Sequence, residues 1–345
     1  MSSPEVVKLF TSDTLKALSL TDIYKTPKLY NILWQPLSKY LKGVKNVYFS
    51  PCGLLHTIGI EYLCNKNDEI FSNQYAVYRL TSTRELVLGS SPNTNLKAAT
   101  FGGITYDYEE TAPADTADKR GGGAAYLQGS KEESEAVAAF LRSAKYEIIA
   151  FTDTAATEES FKKLSGSGIK ILHIGTHGKF YTEEELNDIG LGYLANNKST
   201  QEDKALNCSV LLFAGANGTL SGENYSAILG NSDDGILTAK EISRLDFKGL
   251  DLVVLSACQS GLGEITGEGV FGLQRGFKKA GAQTIIMSLW NVFDKATQLL
   301  MTEFFKNLSS GMSKRAAFVA AQSVVKQKYM HPVMWAGFVM IDGIE

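Results

Sequence analysis

The sequence has no marked excess of charge of either sign and no long hydrophobic run. Its 345 residues include 34 lysines and arginines against 37 aspartates and glutamates, so the formal net charge is −3. Binding to nucleic acid or anionic membranes through general electrostatics needs a basic surface, which this composition does not indicate. No apolar stretch approaches the roughly 20 residues of a transmembrane helix, and the polar N-terminus lacks the apolar segment of a secretory signal. We expect a cytoplasmic protein that binds neither nucleic acid nor membrane directly.

Cysteine and histidine are both scarce. The four cysteines are Cys52, Cys64, Cys208 and Cys258. They form no CxxC pair, which is the spacing typical of structural zinc sites. Two glycine-rich stretches, at 261–263 and 267–269, lack the lysine of a phosphate-binding loop and the spacing of a dinucleotide fingerprint. We therefore expect no metal and no cofactor, and we expect the thiols to remain reduced.

The pattern of apolar residues divides the chain into three parts. Residues 1–28 are predicted to form a helical segment, and residues 29–123 a smaller α/β region that ends in an exposed linker over 106–123. This linker is acidic and then small and polar, so it cannot bury enough apolar surface to order itself. We interpret it either as a surface connection or, at Lys119-Arg120, as a processing site. Residues 124–345 alternate helix and strand, which is typical of a mostly parallel sheet covered by helices.

Local patterns predict individual elements. Within the smaller region the predicted strands are Asn46–Ser50, Leu54–Ile60, Tyr75–Leu80, Glu85–Gly89 and Leu96–Ile104. Further on, two motifs of the form Ser/Thr-x-x-Glu, at Ser130–Glu133 and Thr238–Glu241, predict capping boxes at helix starts. No internal repeat is present, and in particular no 34-residue helical period.

Two apolar strands end next to residues that can carry chemistry. The run Leu252–Ser256 is typical of a strand buried on both faces of a parallel sheet, and Cys258 and a glycine-rich turn follow it. An upstream apolar strand that begins at Ile169 ends in the same way on His177, which Gly178 follows. Ligands of open α/β sheets bind at the carboxyl ends of the strands. If the two strands are neighbours, the thiol and the imidazole meet at one edge, and a thiol beside a base is the minimal equipment for covalent acyl transfer.

Each of these residues also has an interpretation without catalysis. A single cysteine is most often a small buried hydrophobe, and Gly178 on its own would be a plain turn glycine. His173 lies inside the apolar strand, where a hydrogen-bonded core histidine is the simpler interpretation. Among the histidines, His177 is therefore the preferred base.

Several ordered motifs make the chain similar to a known family. They are the two strand ends just described, Asp234–Ile242, Gly267–Val270, Ala280–Ala282, Ser288–Asp294, His331-Pro332 and Trp335–Phe338. This pattern resembles the CHAT family of caspase-like cysteine peptidases over nearly the whole chain from about Leu29 onward. The resemblance implies a caspase-like three-layer α/β sandwich with a mostly parallel central sheet over 124–345. It also implies that the region before this domain is a smaller, degenerate copy of the same fold.

The resemblance also implies how the site would work. His177 and Cys258 would act as a dyad that needs no third member, with the thiolate attacking the scissile carbonyl and the histidine protonating the leaving amine. The backbone N–H groups of Gly178 and Cys258 would hold the developing oxyanion.

A second group of residues is implied to bind the substrate. In the related separases, an aspartate in a similar Leu-Trp-x-Val-x-Asp run is associated with a basic P1 side chain. Carried over, Asp294 would pair with arginine or lysine in the S1 pocket, and Trp290 and Asn291 would contribute to the neighbouring substrate-binding surface. The spacing equally allows Asp294 to cap a helix that starts at Lys295.

Together these features predict an intracellular cysteine endopeptidase that cuts a protein substrate at a specific site. Family members often adjoin TPR repeats and are switched on by a partner or an immune effector module, which implies an activating partner and a role in bacterial immunity or programmed cell death. The chain would be a stand-alone member or a catalytic fragment. The competing interpretations are a catalytically silent scaffold with the same fold and an acyl transferase that joins peptides.

Overall fold

The fold is built on strands that form one large sheet, one small sheet and a hairpin. The computed structural model describes residues 20–88, 93–107, 123–194, 200–221, 233–257, 263–266 and 269–344. Its strands are β1 (Asn46–Phe49), β2 (Ala76–Arg79), β3 (Lys97–Ile104), β4 (Glu147–Asp153), β5 (Ile171–Gly175), β6 (Gly178–Phe180), β7 (Ser209–Leu212), β8 (Ile236–Thr238), β9 (Leu252–Ser256), β10 (Gly263–Thr266), β11 (Gly269–Gly272), β12 (Thr284–Ser288) and β13 (Phe338–Ile341). The large sheet has the order β1-β2-β13-β12-β9-β5-β3-β4, the small sheet the order β6-β7-β8, and β10 and β11 form the hairpin.

Helices lie around these sheets. They are α1 (Leu20–Lys25), α2 (Lys28–Leu33), α3 (Phe71–Gln74), α4 (Gln128–Ser143), α5 (Glu158–Lys162), α6 (Glu183–Asp188), α7 (Gln201–Asn207), α8 (Ala216–Leu220), α9 (Ala239–Ile242), α10 (Leu273–Ala280), α11 (Asp294–Ser309), α12 (Lys314–Tyr329) and α13 (Pro332–Trp335). Short 3-10 helices lie at Gln35–Leu37, Gly53–Thr57, Ile60–Tyr62, Thr83–Leu86 and Gly192–Leu194. Of the helices in the part of the chain that the structure describes, none combines the length and the apolar character that crossing a membrane requires.

The large sheet is mostly parallel, as the sequence predicts. Neighbouring strands from β12 through β9, β5 and β3 to β4 all run in one direction. The junction between β12 and β13 is antiparallel, and β2 and β1 then run parallel to β13. The five residues of β5 and of β12 are all buried, as expected for parallel strands that are covered on both faces.

Helices cover both faces of this sheet and make a three-layer α/β sandwich. Adjacent residues of a strand point to opposite faces. On one face, the His173 ring lies 5.7 Å from the Phe305 ring of α11, and its Nε2 lies 2.8 Å from Glu133 of α4. On the other face, the ring of Phe101 in β3 lies 5.7 Å from that of Phe161 in α5. The expected architecture is confirmed.

Strands from both predicted α/β regions share the large sheet. β1, β2 and β3 come from residues 29–123, whereas the other five strands come from residues 124–345. β3 lies between β5 and β4, inside the parallel half of the sheet. The division predicted at residues 123 and 124 is therefore not a boundary between two sheets.

Two of the strands predicted in the smaller region are wrong. Over 54–60 the chain forms 3-10 turns, in which Ile58 N–H donates to Leu55 O and the Thr57 hydroxyl donates to Leu54 O. These backbone groups are satisfied locally, and β1 pairs instead with β2. The second segment, predicted as a strand over 85–89, is a 3-10 helix over Thr83–Leu86 that begins at a Ser82 cap.

The two predicted capping boxes have opposite outcomes. At Thr238 both reciprocal hydrogen bonds with Glu241 are present, and α9 begins there. At Ser130 the prediction is wrong, because α4 already begins at Gln128. The Ser130 hydroxyl instead accepts from Gly103 N–H at 2.9 Å, and Glu133 is drawn to His173. Contacts between α4 and the sheet take the place of the local cap.

The packing of α10 against α9 leads to a stability prediction. A Cβ at Gly276 would lie 2.5 Å from the backbone oxygen of Ala239, so the helices would have to move apart. We expect Gly276→Ala to lower the free energy of unfolding by about 1–3 kcal/mol, measured by urea denaturation. The control is Gly129→Ala in α4, whose Cβ would meet nothing closer than Asp294 Cβ at 4.0 Å. The free energy of unfolding of that variant should be unchanged or higher by up to about 1 kcal/mol. An equal loss of unfolding free energy in Gly276→Ala and Gly129→Ala would contradict the prediction.

Candidate active site

The candidate active site lies at the carboxyl ends of β5 and β9. The two strands are parallel neighbours, and their last pair joins Gly175 to Ser256. His177 lies two residues beyond Gly175. Cys258 lies two residues beyond Ser256 in the sequence, but it falls outside the described residues, which stop at Ala257 and resume at 263. The two strands that end next to the candidate base and nucleophile are therefore neighbours, with their ends at the same edge of the sheet.

The half-buried ring of His177 is held by a backbone carbonyl. Its Nε2 lies 2.7 Å from the oxygen of Ala125, which can only accept, so Nε2 carries a proton. In the neutral ring Nδ1 is then the nitrogen that can accept a proton. The Tyr106 ring packs against the imidazole with the ring centroids 5.1 Å apart. Orientation and tautomer are thus set from the side of the ring that carries Nε2.

The electrostatic surroundings of His177 act in both directions. Burial lowers the pKa of the imidazole because the charged form loses solvation, while the Ala125 carbonyl and the negative charge of Asp294 raise it. Burial has the largest effect, so the pKa of His177 lies below the usual value for histidine. At neutral pH the ring is then mostly neutral, which is the form that can act as a base.

The end of β5 is tied to its surroundings by buried hydroxyl groups. The Thr176 hydroxyl donates to the backbone oxygen of Leu212 in β7, and the Tyr106 hydroxyl therefore donates to Thr176 Oγ1, at 2.9 Å. Leu212 N–H in turn donates to the backbone oxygen of His177 at 3.0 Å. The backbone at His177 is therefore held by the side chain of Thr176 and by the hydrogen bond from Leu212 N–H.

The N–H group of Gly178 points away from β7. In an antiparallel pair, hydrogen-bonded and non-hydrogen-bonded residue pairs alternate. Leu212 N–H bonds to His177 O, and Tyr181 N–H bonds to Cys208 O at 2.8 Å, which makes the pair of Gly178 with Leu211 a non-hydrogen-bonded one. This direction is required of an oxyanion donor, the role that the family resemblance implies for Gly178. The other expected donor, the N–H of Cys258, lies outside the described residues.

A cleft of about 70 Å³, called here the His177 cleft, lies beside the imidazole. It is lined by Leu127, Gly129, Ser130, Glu133, Thr176, His177, Ser256, Ala257, Val292, Asp294 and Thr297. The lining residues include two carboxylates, the exposed Asp294 and the buried Glu133. Glu133 is bound to Nε2 of His173, so that histidine is a core residue, as expected. The His177 cleft therefore places the candidate base, His177, beside the carboxylates of Asp294 and Glu133.

Asp294 is the first residue of α11, and the structure gives it no capping hydrogen bond. The helix begins at Asp294 rather than at Lys295, and its N-cap position is held by Phe293. The alternative in which Asp294 caps this helix is therefore wrong. The carboxylate lies at the cleft and close enough to His177 to affect its pKa.

Trp290 and Asn291 lie away from the lining of the His177 cleft. Trp290 is buried, its Nε1–H donates to Val333 O at 3.2 Å, and its ring packs 5.6 Å from that of Tyr24. Asn291 is exposed. Val292 is the additional residue of this segment that lines the cleft. The structure thus brings together His177, Gly178 and Asp294, and a role of Trp290 and Asn291 in substrate binding stays a prediction.

Two residues of the site, Ala125 and Glu133, carry no signal in the sequence that reveals their roles. A backbone carbonyl has no residue type that could mark it, and Ala125 is 52 residues from His177. The spacing of Glu133 from Ser130 fits a capping box, which hides its pairing with His173. Among the residues that the structure describes, no group of three or more histidine, cysteine and acidic side chains is arranged to hold a metal ion.

The chain is similar to known proteins in both sequence and fold. The family described as "CHAT domain" matches residues 25–343. Tetratricopeptide repeat protein 28 of Homo sapiens is 36% identical over 108 residues, which cover 31% of this chain and 4% of that protein, and the Mus musculus protein matches to the same extent. The chain thus matches only a small part of the curated relatives.

Two solved structures share the fold. The Arg-specific cysteine proteinase gingipain R superimposes with a TM-score of 0.54 at 10% identity, over 89% of this chain and 65% of that chain. The complex of the pro- and mature domains of RgpB from Porphyromonas gingivalis gives a TM-score of 0.52 at 10% identity, over 95% of this chain and 70% of that one. At this identity the likeness concerns the fold alone.

The position of Asp294 beside His177 leads to a prediction about the imidazole. Because the Asp294 charge stabilises the imidazolium form, Asp294→Asn should lower the pKa of His177, which already lies below about 6.5 in the unaltered chain. The pKa is measured by NMR titration of the ring protons, with His177→Gln to assign the signal. Glu303→Gln, further along α11 and paired with Lys306, is the matched control and should leave the pKa unchanged. A pKa that rises in Asp294→Asn would contradict the stabilising role of this carboxylate.

Proposed function

The chain belongs to the CHAT domain family, and we propose that it is a cysteine endopeptidase with Cys258 as nucleophile and His177 as base. The observation that carries the proposal is the pairing of β5 with β9, in which Gly175 lies opposite Ser256. Cys258 and His177 each follow these paired residues by two positions. The fold shared with gingipain R, a cysteine proteinase, agrees with this assignment.

The reaction begins with a proton transfer. The thiol proton of Cys258 passes to Nδ1 of His177, and the thiolate sulfur attacks the carbonyl carbon of the scissile peptide bond. The Ala125 carbonyl supports this step, because it keeps a proton on Nε2 and so reserves Nδ1 for the thiol. The negative charge that develops on the carbonyl oxygen is stabilised by backbone N–H groups, of which Gly178 supplies one.

The second half of the reaction returns the enzyme to its first state. The Nδ1–H of His177 protonates the leaving amine, the C–N bond breaks, and the acyl group remains on sulfur as a thioester. A water molecule then gives a proton to Nδ1 and attacks the thioester carbon. The acid is released and the thiol of Cys258 is restored. If an amine replaced water in this step, the product would be a new peptide bond.

We propose further that the substrate carries arginine or lysine at P1. Asp294 offers an exposed carboxylate at the His177 cleft, where it makes no capping bond, and Glu133 adds a second, buried carboxylate. A basic side chain would gain a charge-assisted hydrogen bond from Asp294. Gingipain R is described as Arg specific, but the fold does not fix the specificity. A basic P1 preference would therefore come from these two carboxylates.

The natural setting is also part of the proposal. The matched segment of Tetratricopeptide repeat protein 28 suggests that CHAT domains work together with TPR repeats. We therefore propose a TPR-containing or other protein partner that regulates cleavage, as in immune or cell-death signalling. A thiol nucleophile acts only in its reduced form, and the cytoplasm, where thiols are kept reduced, is the proposed location.

Labelling with a thiol-directed probe tests the nucleophile. Cys52 is exposed and would react regardless of catalysis, so the experiment uses a Cys52→Ser background. An acyloxymethylketone peptide with a basic P1 residue should label this protein, and Cys258→Ala should abolish both labelling and cleavage. Cys208 is buried, and Cys208→Ala is the matched control that should keep both. Cleavage that continues in Cys258→Ala would refute the peptidase assignment. If the Cys52→Ser protein itself is neither labelled nor able to cleave peptides, the scaffold interpretation is favoured. The mass of the product distinguishes hydrolysis from ligation.

Peptide profiling tests the proposed specificity. A charge-assisted hydrogen bond contributes about 1.5–3 kcal/mol, so Asp294→Asn should lower kcat/KM for peptides with arginine or lysine at P1 by about 10- to 100-fold. Peptides with leucine or methionine at P1 should be affected much less. Glu303→Gln again serves as the control. The ratio to compare is kcat/KM for basic P1 peptides divided by kcat/KM for apolar P1 peptides. If this ratio is the same in Asp294→Asn and Glu303→Gln, Asp294 does not determine P1 preference.

A further inference from the structure

A second cavity, of about 200 Å³, lies in the half of the large sheet that contains β2 and β13. It is named the α12 cavity here, because α12 forms one long wall. Further walls come from β2, from Met340 in β13 and from Trp335 in α13. Among the described residues, none lines both this cavity and the His177 cleft. The α12 cavity is therefore separate from the proposed catalytic site.

The wall formed by α12 carries two cations, Arg315 and Lys326. They are eleven residues apart, which is close to three helical turns, so they lie on the same face about 16 Å apart along the axis. Gln322 lies between them on the same face. Within the described ranges, no carboxylate forms an ion pair with either cation. Both ends of the cavity therefore carry positive charge.

The one carboxylate among the lining residues is already neutralised. Glu61 is held by Arg79 through two hydrogen bonds, from Nε at 3.0 Å and from Nη2 at 2.8 Å. Both side chains of this pair are buried, with Arg79 at 3% and Glu61 at 8% exposure. The lining thus holds three cationic side chains against one anionic side chain, and the pair of Glu61 with Arg79 leaves a net positive charge.

Both cations lie over aromatic rings that line the cavity. The guanidinium of Arg315 is 5.0 Å from the centre of the Tyr78 ring, and Nζ of Lys326 is 5.0 Å from the Trp335 ring. These cation–π contacts hold each charge against the wall. Burial lowers the pKa of Lys326, which reflects an ammonium group that has lost solvation without gaining a carboxylate. An anion in the cavity would supply the missing counter-charge.

Two polar side chains at the cavity, Gln322 and Tyr62, are held in place by hydrogen bonds. Gln322 donates to the Tyr62 hydroxyl at 2.9 Å, and Tyr62 donates to the backbone oxygen of Phe338 at 2.9 Å. Apolar surface is supplied by Val77 and Phe318. Sites for small ligands typically combine such apolar walls with a few placed polar or charged groups.

We propose that the α12 cavity binds a small organic anion and that its occupancy changes peptidase activity. A flat ring of the ligand would lie against the apolar wall, and its phosphate or carboxylate would pair with one of the two cations, Arg315 or Lys326, which lie at opposite ends of the cavity. The second part of this proposal rests on the proposed peptidase function, whereas the binding itself does not.

Two hydrogen bonds and the packing of β13 against β12 connect the cavity to the candidate nucleophile. Tyr62 binds the backbone of Phe338, and Phe338 in β13 pairs with Ser288 in β12. The Ser288 hydroxyl donates to the backbone oxygen of Ala257 at 2.7 Å. Ala257 directly precedes Cys258 in the sequence. Under this proposal, a ligand that shifts Tyr62 displaces β13 and β12 and, through Ser288, the segment that leads to the nucleophile.

Calorimetry tests the binding site. Phenyl phosphate and benzoate are titrated into the whole chain carrying Cys258→Ala, with benzyl alcohol as the neutral counterpart and inorganic phosphate as the anion without a ring. We expect phenyl phosphate or benzoate to bind at least about tenfold more tightly than either control, and the better of the two identifies the acidic group. Equal binding of ring-containing anions and controls, or no binding at millimolar concentration, would overturn the proposal.

Matched variants locate the site, and kinetics test its effect. Arg315→Gln or Lys326→Gln, whichever removes the cation that pairs with the acidic group, should weaken binding of the anion, whereas Lys328→Gln, outside the cavity on the same helix, should not. Unchanged binding in both cavity variants would refute the site. In the active chain, saturating ligand should change kcat/KM by about fivefold or more. Binding of the ligand without a change in kcat/KM would overturn the regulatory part of the proposal. Because binding is measured in the Cys258→Ala chain, it does not depend on whether the peptidase assignment is correct.

Discussion

The parallel pairing of β5 with β9 is the constraint on which the candidate site depends. Five residue pairs, from Ile171 with Leu252 to Gly175 with Ser256, bring the two strands to the same edge of the sheet. Their apolar side chains are buried between the helical layers, so the strands are rigid where the loops begin. The loops that follow β5 and β9 therefore begin at positions that are fixed by the packing of the core. The hydrogen bonds around His177 then need only orient a side chain whose backbone is already in place.

A buried polar pair explains why this register is unique. Strands that are apolar on both faces give little penalty for a shift by one residue, yet such a shift moves every side chain to the opposite face. His173 is the exception in β5, because its Nε2 is bound to Glu133 on the face covered by α4 and α11. On the other face it would meet the rings of Phe101 and Phe161, where an imidazole and the abandoned carboxylate would be buried without partners. The same carboxylate lines the His177 cleft, so one interaction both selects the register and shapes the site.

Features of the fold could be predicted from the sequence where the information is local, but not where the partner is distant. The apolar run that becomes β9 and the capping box at Thr238 depend on residues within a few positions of one another, and the structure has both. Ser130 has the same local pattern as Thr238, but tertiary contacts with Gly103 override it. The carbonyl of Ala125 could not be predicted at all, because its role depends only on backbone position. Trp290 belongs to a recognisable motif, yet its burial against Tyr24 follows from packing that the motif does not encode.

If Asp294 binds a basic P1 side chain, as proposed, substrate recognition and proton transfer share its charge. In the free chain this charge raises the pKa of His177 and so opposes the effect of burial. If a basic P1 side chain pairs with Asp294, its positive charge offsets the carboxylate, and the pKa of the imidazole falls further. An imidazolium formed during attack by Cys258 would then be a stronger acid, at the stage when the leaving amine must be protonated. A P1 residue without charge would leave the imidazolium stabilised and slower to release its proton. The position of Asp294 can therefore contribute to the selection of substrate after binding as well as during it.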